Sequence, residues 1–367
     1  MTETRCFEED YININPLQTG GKTNSDTRKS IDSYIDGYSV CDFCAGSLHK
    51  IKKPDFEKLL NEISQFLGCD ETIFTNGCRE AKFAVLNSLC EKGDTVLIDE
   101  NRHYSTDVAA ELAGVKKEYV KNNGAPTFHI NPEDYRKRID ETKPKLVILT
   151  HVDGNYGNIV DAEKVGKICR EKNVPFLLNT AYSSGRMVID NKKIGADFIA
   201  CSCHKSWGVG GGTLGLLAIN KKFDDKVFKT SVDYKKKILQ ILGCSARGSS
   251  TIALLNSFPS VRERVKKWNV EVDNAKWFID NMISNEGIQL LGDYPHMHDV
   301  MHFETPKFDE IANKHKDKGY FLHKFLDKKG ITGIIPGRTK SFKMSTYGYS
   351  RKQLEYLYES FLEALKL

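Results

Sequence analysis

The sequence predicts an α/β protein with a mainly parallel central sheet and a smaller C-terminal α+β domain. Three observations lead to this prediction. Short apolar runs that are typical of buried strands alternate with helical patterns over residues 72–219. Polar, glycine-containing turns follow several of these runs, at the positions where open α/β sheets bind ligands. After about Gly287 the pattern changes to shorter strands and helices.

A chain of 367 residues is too long for a single small hydrophobic core, so we expect more than one domain. We predict an N-terminal arm over residues 1–53, a large domain over 54–255, and a connecting helix with a small domain over 256–367. The arm is expected to be irregular because its sequence is polar and interrupted by glycines.

Composition and charge limit the class of function. Hydrophobic residues make up 40% and charged residues 28%, as in soluble globular chains. Because no apolar run could cross a bilayer and the start lacks the core of a signal peptide, we expect a cytoplasmic protein with no membrane partner. The ten cysteines are expected to be reduced thiols, available for metal or sulfur chemistry. The net charge of +5 permits an RNA partner but does not require one.

The predicted arm contains a Cys-x-x-Cys pair, Cys41 and Cys44. Two thiols at this spacing lie on one side of a tight turn and suit metal, iron–sulfur or dithiol chemistry. The same spacing also arises by chance, and no second pair follows at zinc-finger spacing. The pair alone therefore leaves both interpretations open.

The first candidate binding site is a turn between a strand and a helix. A helical pattern over residues 54–68 precedes it, with one apolar stripe, a proline near the start and a glycine at the end. Residues 72–81 then predict a short strand, a turn and a helix start that contains Gly77, Cys78 and Arg79. Backbone N–H groups at such a helix start bind phosphate, although a plain strand-to-helix turn has the same appearance.

Polar residues follow the next three predicted strands. They are His103 after strand 95–99, Asn155 after strand 145–150, and Asn179 in the next apolar strand. A helix over residues 161–172 precedes that last strand. Because ligands in open α/β sheets bind at the carboxyl edge, these side chains are candidates for one site. An asparagine in a glycine-rich loop is also an ordinary turn residue, so only the series as a whole supports Asn155.

The stretch around Lys205 carries the most specific signal. A buried apolar strand over residues 198–202 runs into Ser202, His204 and Lys205 and then into the glycine-rich turn 208–212. A lysine in apolar surroundings has a lowered pKa, and a desolvated amine of this kind performs Schiff-base chemistry. The alternative interpretation is an ordinary lysine at the end of a strand.

Two further candidates and a long helix follow the sheet pattern. Cys244 and Arg247 occur in a short segment before a helical pattern that continues from residue 251 to about 281. We interpret the basic residues of this helix as a solvated face; they are Arg262, Arg264, Lys266 and Lys267.

Taken together, these motifs resemble those of the fold-type-I pyridoxal-phosphate (PLP) enzymes, whose lysine lies in a Ser-x-His-Lys segment. Five segments are more narrowly similar to one family of that superfamily, the archaeal O-phosphoseryl-tRNA:cysteinyl-tRNA synthases; they are residues 41–44, 75–80, 101–105, 203–208 and 244–248. The resemblance extends over nearly the whole chain. It implies the aspartate aminotransferase-like fold of the superfamily.

The resemblance implies a role for each cofactor candidate. Lys205 would bind PLP covalently, His103 would stack on its ring, and Asn155 would hydrogen-bond its phenolic oxygen. The cofactor phosphate would lie near Gly77, Cys78, Arg79, Ser202 and His204. The superfamily usually has an aspartate where Asn179 stands, and a neutral amide cannot offset a full charge on the pyridine nitrogen. The ring is therefore expected to be a weaker electron sink, which favours loss of a good leaving group from Cβ.

The activity that the resemblance implies is conversion of O-phosphoseryl-tRNA(Cys) to cysteinyl-tRNA(Cys) in a homodimer. Cys41, Cys44 and Cys244 would relay sulfur or hold an iron–sulfur cluster. Arg79 and Arg247 would bind the leaving phosphate, the second across the dimer interface. Besides the tRNA, O-phosphoseryl-tRNA synthetase is an expected partner.

Two other functions remain open on the sequence. A cysteine desulfurase or selenocysteine lyase shares the Ser-x-His-Lys segment. Those enzymes carry a persulfide-forming cysteine late in the chain, whereas Cys244 is the last cysteine here. A non-catalytic RNA-binding or scaffolding protein on the same fold is opposed by Lys205 and the phosphate turn.

Overall fold

The computed structural model of the protein describes residues 11–35, 54–235, 237–242 and 248–367. Four residues that the sequence selected for a site lie outside this part of the chain; they are Cys41, Cys44, Cys244 and Arg247. The other selected residues lie within it.

Over residues 72–219 the strands and helices follow one another in the alternating order that the sequence predicts. The strands are β1 (Ile12–Asn13), β2 (Glu71–Thr75), β3 (Thr95–Asp99), β4 (Lys116–Val120), β5 (Leu146–Thr150), β6 (Phe176–Asn179), β7 (Phe198–Ser202), β8 (Gly215–Ile219), β9 (Gln289–Leu291), β10 (Val300–Glu304), β11 (Ile331–Thr332) and β12 (Ser341–Ser345). The helices are α1 (Ser25–Tyr34), α2 (Phe56–Leu67), α3 (Cys78–Leu89), α4 (Tyr104–Leu112), α5 (Asp134–Thr142), α6 (Ala162–Glu171), α7 (Asn191–Ile194), α8 (Cys203–Ser206), α9 (Asp224–Val227), α10 (Gly248–Arg264), α11 (Trp268–Ile283), α12 (Pro306–Lys314), α13 (Phe321–Asp327) and α14 (Arg351–Ala364). Among these helices, none has the length and apolar character that a membrane span requires.

Seven strands form the central sheet, in the order β2-β8-β7-β6-β5-β3-β4. β8 is antiparallel to both of its neighbours, and the other pairs are parallel. This arrangement confirms the predicted mainly parallel sheet. Because β2, β3, β5, β6 and β7 run in one direction, the loops that follow them meet at the same edge.

Both faces of the central sheet are buried, as β5 illustrates. Val147 and Leu149 enter one apolar cluster, together with residues of α2, α6 and α10. Leu146 and Ile148 enter another, together with residues of α3 and α4. Side chains alternate between the faces of a strand, so a strand covered on both faces needs a continuous apolar run. Each such side chain contributes about 1.5–3 kcal/mol through its burial.

A smaller antiparallel sheet, in the order β12-β10-β9, packs against α11, α12, α13 and α14. The N-terminal part of the chain joins this unit, because β1 pairs with β11 and both Ile12 and Ile14 are buried in its apolar cluster. Helix α1 packs against α10, next to the large sheet. Residues 11–35 are therefore held by both units.

The prediction of one continuous helix over residues 251–281 is wrong in one respect. The chain forms α10 and α11, and a 3-10 turn at Val265–Lys267 separates them. The turn contains neither glycine nor proline, so nothing in the local sequence marked it. The interpretation of Arg264 as solvated is also wrong, because its guanidinium donates to the carbonyl oxygens of Gly185 and Ser206.

Candidate active site

Lys205 lies in the one-turn helix α8, directly after the fully buried strand β7. Its Nζ is 4.8 Å from the centre of the Tyr182 ring. Burial lowers the pKa of this amine to about 8, and the neighbouring cations Lys82 and Arg186 lower it as well. An amine with this pKa is neutral more often near pH 7 than an ordinary lysine, and the neutral form attacks aldehydes.

The structure brings Lys205 and three other selected residues into one pocket. Cys78, His103, Asn179 and Lys205 line it, and each stands at or just after the end of a different strand of the central sheet. The other lining residues are Ser105, Thr150, Val152, Gly154, Ala181 and Tyr182. The pocket therefore lies at the carboxyl edge of the parallel strands.

The turn before α3 is closed by its own hydrogen bonds. Gly77 has a φ of +92°, in the left-handed region that favours glycine. The Thr75 hydroxyl donates to the Gly77 carbonyl oxygen at 3.1 Å, and the Asn76 backbone N–H donates to the Glu80 carboxylate. These bonds fix the first turn of α3, whose leading N–H groups have no partner within the helix and suit a phosphate.

Ser202 and His204 lie beside this turn. Nδ1 of His204 donates to the Leu214 carbonyl oxygen at 3.2 Å, so Nε2 accepts from the Ser202 hydroxyl at 3.3 Å. Cε1 of His204 is 3.8 Å from the position that a Cβ on Gly77 would take. The structure thus places both residues next to the N-terminus of α3.

Two donors set the orientation of the Asn179 side-chain amide. The Ala181 backbone N–H and the Cys78 thiol each lie 3.2 Å from Oδ1. Because a backbone N–H can only donate, the atom that it meets is the oxygen. Within the described ranges Nδ2 of Asn179 has no hydrogen-bond partner, so it is available as a donor to a ligand in the pocket.

His103 is the N-cap of α4 and forms part of the pocket wall. Its Nδ1 accepts from the Ser105 backbone N–H at 3.3 Å and lies 2.9 Å from the Ser105 hydroxyl. Burial, together with the nearby cations of Lys205 and Lys82, lowers the pKa of His103 to about 3. The imidazole is therefore a flat, uncharged ring near neutral pH.

Two selected residues lie at the rim of the pocket rather than in its lining. Arg79 is exposed, and its guanidinium donates to the Tyr104 hydroxyl at 3.3 Å. Asn155 is also exposed, and the Lys343 ammonium donates to its side-chain oxygen at 3.5 Å and to the Gly154 carbonyl oxygen at 3.1 Å. Both residues can meet a substrate that is too large to enter the pocket completely.

Lys82 is a residue that the sequence interpretation missed. It is 0% exposed and lies on α3, directly behind the pocket. Its position, four residues after Cys78 and three before Val85, places it on the buried stripe of that helix. A lysine on an apolar helical stripe was the signal that could have found it, because such a lysine needs polar partners in the core.

A buried ion pair between Arg186 and Asp299 was missed as well. Both residues are 0% exposed, and the pair joins the loop after β6 of the large sheet to the residue before β10 of the smaller one. Arg186 also donates to the carbonyl oxygens of Lys205 at 3.3 Å and of Pro16 at 2.9 Å, and the Ser345 hydroxyl donates to Asp299 at 2.6 Å. The backbone under Lys205 is therefore tied to residues far away in sequence.

Replacing Asp299 by alanine should lower the free energy of unfolding by about 3–5 kcal/mol, because Arg186 would be left buried without its counter-charge. Urea denaturation followed by circular dichroism measures this change. The control is Asp140→Ala, which breaks an exposed ion pair with Lys172 and should change stability by about 1 kcal/mol or less. Equal losses in the two variants would contradict the burial of the Arg186–Asp299 pair.

The described residues include six free cysteines; they are Cys69, Cys78, Cys90, Cys169, Cys201 and Cys203. Burial raises the pKa of every one of these thiols, for example to about 12 for Cys69 and Cys201 and to about 11 for Cys90. The thiolate is the reactive form of cysteine, so these six are poor nucleophiles near neutral pH.

The sequence is similar to that of several proteins of known name. The profile of the class-V aminotransferase family matches residues 32–243. The O-phospho-L-seryl-tRNA:Cys-tRNA synthase of Methanococcus maripaludis strain C7 is 48% identical over 97% of this chain and 95% of its own length. That of Methanocaldococcus jannaschii is 43% identical over 99% of this chain and 97% of its own length. This chain belongs to the O-phospho-L-seryl-tRNA:Cys-tRNA synthase family.

Solved structures agree with this family membership. A chain in the crystal structure of a SepCysS–SepCysE N-terminal domain complex has a TM-score of 0.91 and 42% identity, covering 99% of this chain and 97% of its own. The cysteine desulfurase of Thermococcus onnurineus has a TM-score of 0.76 at 20% identity, which shows a shared fold. The synthase and the desulfurase therefore share one architecture, but the sequence of this chain is much more similar to that of the synthase.

As a member of the class-V aminotransferase family, this synthase-family chain is a PLP-dependent enzyme. The pocket contains the groups that PLP requires: the amine of Lys205 for its aldehyde, the flat ring of His103 for stacking, and the amide N–H of Asn179 for its ring nitrogen. The Gly77 turn supplies backbone donors for its phosphate. The residues present therefore fit the cofactor.

Proposed function

We propose that this chain converts O-phosphoseryl-tRNA(Cys) to cysteinyl-tRNA(Cys) by replacing the phosphate on Cβ of the esterified amino acid with sulfur. The observation that carries the proposal is the family match over nearly the whole chain. The pocket supports it, because its donors fit PLP and Arg79 and Asn155 beside it are exposed and can contact a large substrate. When PLP is bound, it withdraws electrons from Cα, which makes the Cα proton acidic and allows the Cβ phosphate to leave.

Lys205 has two roles in this proposal. It would hold the cofactor covalently in the resting enzyme, and its freed Nζ would accept the Cα proton once the substrate is bound. A pKa of about 8, lowered by burial, supports both roles because the free amine is partly neutral at physiological pH.

The remaining pocket residues hold and orient the cofactor. We assign its phosphate to Gly77, Cys78, Arg79, Ser202 and His204, and its phenolic oxygen to Asn155. Asn179 donates to the ring nitrogen through Nδ2, the atom that its two fixed neighbours leave available. A neutral amide stabilises less charge on the ring than an aspartate would, so this arrangement favours rapid departure of phosphate over transamination.

The leaving phosphate needs fixed cationic donors. Arg79 at the rim supplies a planar guanidinium that is already oriented by Tyr104. We infer that Arg247 supplies a second guanidinium across the interface of a homodimer. The carboxyl group of the substrate is esterified, so no arginine is required to bind it. Lys343, the lysine at the rim of the pocket, donates to the Gly154 carbonyl oxygen.

We assign sulfur delivery to Cys41, Cys44 and Cys244, as a persulfide relay or as ligands of an iron–sulfur cluster. The reaction would take place in the cytoplasm. Beyond the tRNA, we infer two protein partners: an O-phosphoseryl-tRNA synthetase and, because a relative was solved with one, a SepCysE-like protein.

The enzyme should turn over O-phosphoseryl-tRNA(Cys) with a kcat/KM at least about 100-fold higher than that for free O-phosphoserine, because tRNA contacts supply binding energy that the amino acid lacks. Raising the salt concentration from 50 to 200 mM should weaken tRNA binding roughly tenfold or more, as Lys and Arg contacts to phosphates release counterions. Phosphate release and filter binding measure the two effects.

The matched control is uncharged tRNA(Cys), which should compete with the charged tRNA and lose affinity in the same salt range. Turnover of free O-phosphoserine as efficient as that of the tRNA ester would contradict the proposed substrate. Salt-independent binding would contradict recognition through the phosphate backbone.

A further inference from the structure

Lys82 forms an unusual set of contacts for a buried lysine. Its Nζ lies 2.8 Å from the hydroxyl oxygen of Ser105 and 2.8 Å from that of Thr106, both in the first turn of α4. Thr106 is 0% exposed and Ser105 is 9% exposed. These two hydroxyl groups are the hydrogen-bond partners of Lys82 among the described residues, and it forms no ion pair with any of them.

The directions of these hydrogen bonds follow from the chemistry of the donors. Burial lowers the pKa of Lys82, but both the ammonium and the neutral amine have enough N–H groups to donate to the two hydroxyl oxygens, so the Ser105 oxygen accepts from Lys82. The hydroxyl proton of Ser105 must then go to its other neighbour, Nδ1 of His103, at 2.9 Å. The backbone N–H of Ser105 donates to the same nitrogen at 3.3 Å. Both bonds require that Nδ1 of His103 carries no proton.

We propose that Lys82 is a positioning residue that, through the Ser105 hydroxyl, holds His103 in the neutral tautomer with its proton on Nε2. No described residue forms a hydrogen bond with Nε2, so this N–H is left as a fixed donor in the wall of the pocket. The charged groups that act on the ring are Lys205, Lys82, Lys343 and Arg79, all cations, and they favour the neutral ring.

The tautomer has a consequence for the reaction, and this step rests on the proposed function. A histidine with a proton on Nε2 can donate a hydrogen bond to the departing phosphate or to the substrate, but it cannot accept the Cα proton at that nitrogen. The arrangement therefore leaves Lys205 as the base. Without Lys82, the Ser105 hydroxyl is free to accept from Nδ1, and only the longer bond from the Ser105 backbone N–H still opposes a proton on that nitrogen, so the second tautomer of His103 becomes accessible.

The test uses PLP-loaded protein with 15N-labelled histidine, in which NMR shifts distinguish protonated from unprotonated ring nitrogens. His103→Gln identifies the His103 signals by their loss. Wild-type protein should show the Nε2–H tautomer alone. Lys82→Met and Ser105→Ala should each show on the order of a tenth or more of the Nδ1–H tautomer, as expected when one hydrogen bond is lost. Thr106→Val is the matched control, because it removes a Lys82 partner but keeps the connection to His103.

Turnover of O-phosphoseryl-tRNA should fall about tenfold in kcat with little change in KM for Lys82→Met, and the Lys82→Met/Ser105→Ala double variant should lose no more than either single variant. Ser105→Ala keeps the test valid if Lys82→Met does not fold. The proposal would be overturned if the wild-type protein showed the Nδ1–H tautomer. It would also be overturned if Lys82→Met and Ser105→Ala both kept the Nε2–H tautomer alone. The tautomer is read without substrate, so its outcome is independent of the substrate proposed above.

Discussion

Replacing Lys205 by alanine should leave the protein folded but without covalently bound PLP, and should slow phosphate release from O-phosphoseryl-tRNA by at least about 10³-fold. The loss is large because one side chain is both the covalent anchor and the base for the Cα proton. The fold should change in stability by about 1 kcal/mol or less, since the amine is desolvated in the native state and contributes little to it.

Visible absorption of the purified protein, and borohydride reduction followed by peptide mapping, measure the covalent bond. The matched control is Lys172→Ala, because Lys172 forms an exposed ion pair away from the pocket and should keep both the absorption and the activity. Reductive labelling at a lysine other than Lys205 would show that the cofactor has been assigned to the wrong residue.

Replacing Cys41, Cys44 or Cys244 by serine should abolish formation of cysteinyl-tRNA while sparing both PLP binding and a single turnover of phosphate release. The physical reason is that sulfur transfer needs a reactive thiolate or a metal-bound thiolate. The six cysteines in the described part of the chain are buried or half-buried thiols with raised pKa values, so they are poorly suited to this role. A transferable sulfur that these cysteines hold, on a cluster or as the outer atom of a persulfide, would react before water consumes the activated substrate.

Two serine variants serve as controls for this experiment. Cys90→Ser removes a half-buried thiol with a pKa raised to about 11 and should keep full sulfur transfer. Cys6→Ser tests the remaining cysteine, to which no role is assigned, and should behave in the same way. Parallel loss of phosphate release in the Cys41, Cys44 and Cys244 variants would assign these cysteines to elimination or to structure, and wild-type sulfur transfer in all three would end the hypothesis.

The sequence predicted those parts of the fold that depend on local patterns. Continuous apolar runs such as residues 146–149 identified strands buried on both faces, and the structure confirms them in a mainly parallel sheet. The carboxyl ends of such strands meet at one edge, which is why residues as distant as Cys78 and Lys205 line one pocket. The prediction that these residues share one site therefore depended only on the common direction of the strands.

The parts that the sequence did not predict depend on contacts between distant segments. Arg264 looks like its exposed neighbour Arg262 in the helical pattern, and only the fold brings the Gly185 carbonyl oxygen to it. The pairing of Arg186 with Asp299 spans two sheets and has no local signature. The break at Val265–Lys267 has none either, because it contains neither glycine nor proline, the residues that most disfavour a helix.

The Arg186–Asp299 pair also determines how far this protein can be divided. Arg186 lies in the loop that follows β6 of the large sheet, Asp299 precedes β10 of the small one, and the Pro16 carbonyl oxygen comes from the N-terminal segment. A piece of the chain that ended before Asp299 would keep the residues lining the pocket and yet place an uncompensated cation beneath Lys205. The seven-stranded sheet is therefore not a transplantable module, and chimeras with related enzymes should exchange both sheets and the N-terminal segment together.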